Sequence, residues 1–285
     1  MTRSSDELEV TVLPGLGCRV HRLRAFGRDL VRTPPEPATH ADDPFFWGAY
    51  VMAPWTNRAS AEPMTVAGRR VDLAANFPDG TAIHGQVYAA PWRRTGDATF
   101  GVDHAADAAW PWDYTVTAEL AVDGPRLRLR YRLENRSDAT MPGGLGLHAW
   151  VRRPVALALR ARAVDPANGR PDAAEVTATA RWGLDDTAPP DGVDATWLDL
   201  EPTEIGLRWP AEGLGATLRA ASSGTAVHAA VANPEEPAAT AVEPVTHRPW
   251  GLDRLARGET GAMDVLAPGT SLALDLELAV HRAAP

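Results

Sequence analysis

At 285 residues with one cysteine, Cys18, and a formal charge of −9 near neutral pH, the chain can build neither an internal disulfide nor a cysteine-based zinc site, and it lacks the concentrated basic surface of a nucleic-acid binder. Its 25 prolines and 24 glycines interrupt it too often for long amphipathic helices and suit many short strands joined by turns. No apolar run approaches the roughly 18 residues of a membrane span, and the first residues, MTRSSDELEV, carry no apolar signal core, so a cytoplasmic protein without nucleic-acid or membrane partners is expected.

The chain opens with ELEVTVLPGLGCRVHRLRAFGRDLV, two alternating stretches that turn on Pro14 and Gly15 and predict a strand pair. Residues 32–45 are rich in Pro and Asp and read as a loop. MTVAGRRVDL, residues 64–73, predicts a hairpin around Ala67 and Gly68. The clearest signal is DYTVTAELAVDGPRLRLRYRLENRS, where period-2 strands carrying Val116, Leu120 and Val122, then Leu127, Leu129, Tyr131 and Leu133, flank Asp123-Gly124-Pro125. Residues 183–194 read as a second Pro/Asp-rich loop. The final stretch, APGTSLALDLELAV, places Leu272, Leu274, Leu276 and Leu278 on one face. Neither loop is long or biased enough for a domain linker, and no fixed-period repeat stands out, so the expectation is a single all-β domain over 1–285. Its functional residues are expected at strand ends or in loops.

Two histidines sit among glycines and aromatics: His84 in TAIHGQVYAAPW and His148 in GLGLHAWVRR. Histidine titrates nearest neutrality and serves as acid, base or orienter, yet each of these alone is as readily a buried imidazole bonded to backbone. Three further segments add polar groups to apolar surroundings: Asn57 and Arg58 in APWTNRAS, Asp194 in GVDATWLDL, and Glu243 in TAVEPVTHRPW. Glu243, just before Pro244, reads as the end of a small-residue strand facing a loop. His247 and Arg248 read as a solvated loop more readily than a cleft rim. The pairs Arg69-Arg70, Arg93-Arg94 and Arg152-Arg153 read as solvent-facing strand-edge charges. Two such pairs converging on one cleft would instead suit a sugar phosphate, because guanidinium forks match phosphate.

In chain order, PWTNR (54–58), VAGRRVDL (66–73), AIHG (82–85) with Trp92, LENRSDATMPGGLGLHAW (133–150), VDATW (193–197), AVEPVT (241–246) and LAPGTSLAL (266–274) resemble the successive signatures of the aldose 1-epimerase family, the galactose-mutarotase-like proteins. Order and spacing carry the resemblance, from about residue 50 to the C-terminus. It implies a β-sandwich of the supersandwich type with a sugar in an open cleft across one sheet. By position, Glu243 matches the family's general base, His148 its general acid and His84 a second histidine near the reacting centre. Arg58, with Asn57, and Asp194 match hydroxyl binders, and Trp150 an aromatic after the second histidine; Trp182 and Trp197 are weaker candidates.

The implied reaction interconverts α and β anomers of a free hexose, with no cofactor or metal, in a monomer or homodimer. Glu243 and His148 are expected to face each other across a gap that admits a pyranose ring. Gln86, Ala149-Trp150 and the stretch after Thr246 depart from the family pattern beside the cleft, which leaves the preferred sugar open. The alternatives are a hexose-6-phosphate epimerase on the same fold and a non-catalytic carbohydrate-binding protein. A β-sandwich with accidental motif matches is the remaining reading.

Overall fold

The structure is a computed structural model that describes residues 1–166, 176–177 and 182–283. Two large antiparallel sheets dominate it. The first runs, by spatial neighbours, through Thr2–Ser4, Leu8–Leu13, Arg19–Ala25, Ala49–Met52, Gly146–Arg152, Ala239–Val245, His228–Ala232, Asp194–Leu200, Ala161–Pro166 and Val176–Thr177. The second runs through Arg93–Arg94, Thr99–His104, Tyr114–Asp123, Arg126–Asn135, Ser271–Arg282, Leu214–Ser222, Glu204–Trp209, Ala156–Leu159 and Leu184–Thr187.

Alternation in the sequence becomes alternation in burial. Along Arg126–Asn135 the arginines are exposed while Leu127, Leu129, Tyr131 and Leu133 are buried. Val116, Leu133 and Leu272 lie side by side across three strands and meet the first sheet in a common apolar core. Each fully buried aliphatic side chain there contributes on the order of 1.5–3 kcal/mol. The predicted hairpins are present: Leu8–Leu13 pairs with Arg19–Ala25, Met64–Val66 with Arg69–Val71, and Tyr114–Asp123 with Arg126–Asn135.

Two stretches read as loops contain short regular elements, the helix Thr39–Asp42 and the strand Leu184–Thr187. Their few residues, with polar side chains and flanking prolines, leave too short a periodic pattern to register. No helix among the described residues is long and apolar enough to cross a membrane.

The first sheet has one face on the core and one face turned away from it. Ala49, Val51, Leu147, Val151, Ala195, Trp197, Ala229, Val231 and Val242 belong to the core cluster. Side chains alternate across a strand, so Tyr50, His148, Trp150, Asp194, Thr196, Ala230, Ala232, Ala241 and Glu243 occupy the other face.

Candidate active site

Cross-strand register brings that second face together in two rows. Tyr50 pairs with His148, and Glu243, on the next strand, pairs with Ala230, which pairs in turn with Thr196. In the adjoining row Trp150 pairs with Ala241, Ala241 with Ala232, and Ala232 with Asp194. The alanines keep the middle of the sheet low, while Trp150, His148, Glu243 and Asp194 rise around it. This makes a cleft lined also by Asn57, Arg58, Phe77 and His84.

The sequence placed functional groups at strand ends; Glu243 and His148 instead stand within strands. Ala239–Val245 continues through Pro244, which lacks an N–H to donate. The pairing with Gly146–Arg152 includes Gly146 with Val245 and Ala149 with Val242 but lapses between them. Proline thus interrupts the ladder without ending the strand.

His148 Nε2 lies 3.2 Å from Glu243 Oε1, and both side chains are buried. The expected gap between them is closed, because neighbouring strands hold the two side chains side by side. Burial pushes the Glu243 carboxyl well up, with Asp194 adding to the rise and Arg58 opposing it. Burial also pushes the His148 imidazole down to about 3, with a further contribution from Arg19. A dry site disfavours both charged forms and so favours the neutral pair, a protonated Glu243 beside a neutral His148 imidazole. Such a pair titrates as a unit rather than as two independent groups.

Arg19, missed in the sequence, explains part of this environment. Its guanidinium sits 4.4 Å from the Tyr50 ring centroid, and that ring stacks on His148 at 4.7 Å. Arg19 Nη1 donates to the Trp47 carbonyl at 2.8 Å, and Nη2 donates to the carbonyls of Pro44 and Tyr88 at 2.6 and 3.3 Å. It therefore ties down the segment that carries Phe45 and Phe46. In the sequence Arg19 resembles any polar member of an alternating strand; only its burial, 1 % exposed, distinguishes it.

The loop residues arrive by backbone geometry. Trp55 is buried and stacks on Trp110 at 5.4 Å, anchoring the PWTNR segment. Asn57 adopts a left-handed φ of 54°, a conformation asparagine tolerates better than most residues. Its side-chain Oδ1 accepts the Arg58 N–H at 2.8 Å. Arg58–Ala59 then pairs with Ala82–Ile83, delivering His84, also left-handed at φ 63°. The next residue must be glycine: Gly85 has φ 74°, and a Cβ there would lie 2.0 Å from the Ala53 carbonyl oxygen. The His84 and His148 rings meet edge-on with centroids 5.0 Å apart.

Arg58 donates from Nε to Asp79 Oδ2 at 2.7 Å, and its Nη1 lies 3.8 Å from Asp194 Oδ2. Asp194 stands at the mouth with 43 % of its side chain exposed. Desolvation nonetheless raises its carboxyl, opposed by Arg58 and assisted by Asp79.

The sequence candidates His84, His148, Glu243, Arg58, Asn57, Asp194 and Trp150 line this cleft. Trp150 is a wall residue: its indole N–H donates to the Phe45 carbonyl, and its ring lies 5.7 Å from Phe46. Trp182 and Trp197 are elsewhere, because Trp197 alternates onto the core face and bonds the Trp182 carbonyl.

His247 is neither solvated loop nor cleft rim. It is buried, its Nε2 accepts the Thr56 N–H at 2.8 Å, and its Nδ1 lies 2.7 Å from the Arg248 carbonyl. It therefore fastens the PWTNR segment to the strand end. The three arginine pairs stay outside the cleft, in contacts such as Arg69 with Asp138, Arg93 with Asp103 and Arg152 with Glu212. Sequence reasoning missed Phe45, Phe46, Phe77, Tyr50 and Asp79; a consecutive Phe-Phe in a polar loop and an Asp-Gly turn were the available signals.

Residues 3–157 match the family model for aldose 1-epimerase. A comparison with curated proteins finds no match. Among solved structures, a candidate aldose 1-epimerase from Escherichia coli K12 is 18 % identical and superposes with a TM-score of 0.80, covering 99 % of this chain and 98 % of its own. A galactose mutarotase-like protein from Clostridium acetobutylicum gives 14 % identity and a TM-score of 0.81 over 99 % and 94 %. An aldose epimerase homologue from C. elegans gives 14 % and 0.73 over 98 % and 97 %. At these identities the structures speak to fold, which is galactose-mutarotase-like, while the match of the family model extends over more than half the sequence: the chain belongs to the aldose 1-epimerase family.

Proposed function

We propose that the protein is a mutarotase, interconverting the α and β anomers of a free monosaccharide by acid/base ring opening and closure. The observation that carries this reading is the buried Glu243–His148 pair, 3.2 Å apart on the cleft floor. As glutamic acid with neutral imidazole, or as carboxylate with imidazolium, the pair holds the same single proton. The second form is the reactive one. A sugar lying over the pair presents its C1 hydroxyl to Glu243 and its ring oxygen to His148.

Glu243 takes the C1 hydroxyl proton while His148 protonates O5; the C1–O5 bond breaks and C1 becomes an aldehyde. After rotation about C1–C2, the O5 hydroxyl attacks the other face of the carbonyl, returning its proton to His148 as Glu243 protonates the carbonyl oxygen. Both residues end as they began. Each proton transfer typically contributes about 10²–10⁴-fold. His84 adds a buried ring nitrogen, Nδ1, that has no protein partner among the described residues and suits a bond to the sugar. Arg58, Asn57 and Asp194 supply hydroxyl-binding groups, and Trp150 an apolar wall.

The charge inventory favours a neutral sugar: Arg58 already serves two carboxylates, and the arginine pairs that would suit a phosphate lie outside the cleft. The test is polarimetry, or NMR exchange, on freshly dissolved glucose and galactose and their 6-phosphates. Free sugars should reach anomeric equilibrium faster with the protein than without, and faster than the 6-phosphates. A preference for the phosphates would replace this reading with the hexose-6-phosphate epimerase, and acceleration of none with the binding protein.

A further inference from the structure

We propose that Asp79 makes the cleft select neutral sugars over phosphorylated ones, by holding Arg58 as a hydroxyl binder and denying its guanidinium to phosphate. The proposal rests on the mutarotase reading of the cleft, and it assigns a specificity-determining role to a residue outside the set of catalytic and sugar-binding groups above.

The placement of Asp79 is built rather than incidental. It lies in the turn between Asn76 and Thr81, where Gly80 N–H donates to the Phe77 carbonyl at 3.0 Å with Gly80 at φ 83°. Thr81 donates to Asp79 Oδ1 from both its backbone N–H, at 3.1 Å, and its hydroxyl, at 2.6 Å. Asn76 closes the base of the turn: its Oδ1 accepts the Ile83 N–H at 2.7 Å and its amide donates to the Ile83 carbonyl at 3.1 Å. Ile83 is in turn the cross-strand partner of Arg58. The residue carrying the guanidinium and the turn carrying its carboxylate are therefore fixed to the same two-strand unit.

With one carboxylate oxygen occupied by Thr81, the other meets Arg58 Nε at 2.7 Å. Arginine takes phosphate through a fork of two parallel N–H donors. Here the Nε edge of that fork is filled by Asp79, and Asp194 lies 3.8 Å from Nη1 on another part of the same group. Arg58 thus meets acidic groups on two sides, Asp79 at Nε and Asp194 near Nη1. A sugar hydroxyl can still accept a hydrogen bond from a guanidinium N–H at no electrostatic cost, whereas a phosphate would have to displace Asp79 against like charge. Burial works to raise the Asp79 carboxyl, but the bonds from Arg58 and Thr81 outweigh it and keep the group below the usual carboxylate range, so it stays ionised.

The experiment uses the full chain carrying Asp79→Asn, which keeps the size of the side chain and an oxygen for Thr81 while removing the charge. Inorganic phosphate is titrated into wild type and variant, followed by calorimetry and by inhibition of anomer exchange. Wild type should bind phosphate weakly, and the variant about tenfold or more tightly, since a unit charge about 4 Å away at partly exposed sites changes affinity on that scale. The ratio of kcat/KM for a sugar 6-phosphate to that for the free sugar should rise about tenfold in parallel, and KM for the free sugar should rise several-fold as Arg58 loses its anchor.

Adding Arg58→Gln to the variant should abolish the gain in phosphate binding. A purely structural role for Asp79 predicts no gain of anion binding at all. Unchanged phosphate affinity in folded Asp79→Asn, or in folded Asp79→Ala should the first variant not fold, would overturn the proposal, as would a gain that survives Arg58→Gln. If wild type exchanges no anomers, the mutarotase reading fails while the phosphate titration still decides the role of Asp79.

Discussion

Glu243 and Glu277 are both glutamates within long antiparallel strands, each with a basic side chain on a neighbouring strand. Glu277 lies on the outer face of the second sheet, where Arg126 Nη1 and Arg128 Nε donate to it at 2.6 and 2.9 Å. The bond from Arg128, joined by that from Arg126 and by both positive charges, outweighs desolvation and holds its carboxyl below the ordinary value. Glu243 faces an imidazole in place of a guanidinium, with 7 % of its side chain exposed against 24 % for Glu277. Burial raises it instead. A guanidinium never gives up its proton in the working range, so Glu277 is locked as a carboxylate. An imidazole can give up its proton, and burial here disfavours both its charged form and the carboxylate, so Glu243 is not locked as a charge. On the reading proposed above, the partner and the water decide whether a strand glutamate is a fixed charge or a proton carrier.

Replacing each glutamate by glutamine breaks this comparison most sharply. Glu243→Gln keeps the shape but cannot accept the C1 hydroxyl proton, so kcat for anomer exchange should fall by about 10²-fold or more while sugar still binds. Glu277→Gln should leave kcat unchanged. His148→Asn should cost turnover on the scale of Glu243→Gln, whereas Asp194→Asn should act chiefly on KM, because a hydroxyl contact is shared by ground and transition states. The pH dependence of kcat should be bell-shaped: activity is lost at low pH when the pair gains a second proton, and at high pH when it loses its only one. Near wild-type exchange by a folded Glu243→Gln would remove the assigned base.

Much of the sheet system was legible because burial on one face prints itself as period-2 alternation, as in RLRLRYRLEN. The cleft was legible for a different reason. Its polar residues interrupt apolar or small-residue segments, and the family pattern supplies their order. Contacts made across the fold by residues whose local sequence is ordinary were not legible. Arg19 looks like a surface arginine until the Pro44, Trp47 and Tyr88 carbonyls close over it. His247 looks like loop until Thr56, 191 positions away, donates to it. Asp79 looks like a turn residue, which it also is. The closeness of Glu243 to His148 follows from strand register, set by the whole sheet and not by either segment.

His247 sharpens the comparison from the other side, as a buried titratable group that does not line the cleft. Its Nε2 must accept from Thr56, which fixes it as the neutral form. Burial holds its pKa at about 4, below the ordinary histidine value of 6.5, despite the bond to the Arg248 carbonyl. Between those values the unfolded chain binds more protons than the folded one, so this contribution to stability is intact above pH 6.5 and is lost as pH falls toward 4. Near pH 5 the loss amounts to about 2 kcal/mol from this one group. His247→Gln, which can still accept from Thr56, should be less stable than wild type at pH 7 yet show a shallower fall in Tm from pH 7 to pH 5. An equally steep fall in the variant would assign the acid sensitivity to other buried histidines, such as His40 and His228, each held low chiefly by desolvation.

The smallest effect concerns stability, and here the two glutamates should differ in sign. The folded pKa of Glu277 is depressed, so its contribution is present above the ordinary carboxylate range and is lost as pH falls through the folded value. Exposed pairs of this kind give under about 1 kcal/mol and are screened by salt. Glu277→Gln should therefore lower the urea midpoint slightly at pH 7 in low salt, less in high salt, and hardly at all in acid. The folded pKa of Glu243 is raised, so its contribution is full below the ordinary range and declines as pH rises through the folded value. Glu243→Gln is permanently neutral and escapes that decline. It should equal or exceed wild type in stability at pH 8, even as it loses turnover. Destabilisation of Glu243→Gln at pH 8, with Glu277→Gln unaffected, would mean that the Glu243 carboxylate is held by its surroundings as a structural charge, and the contrast between the two sites would fail.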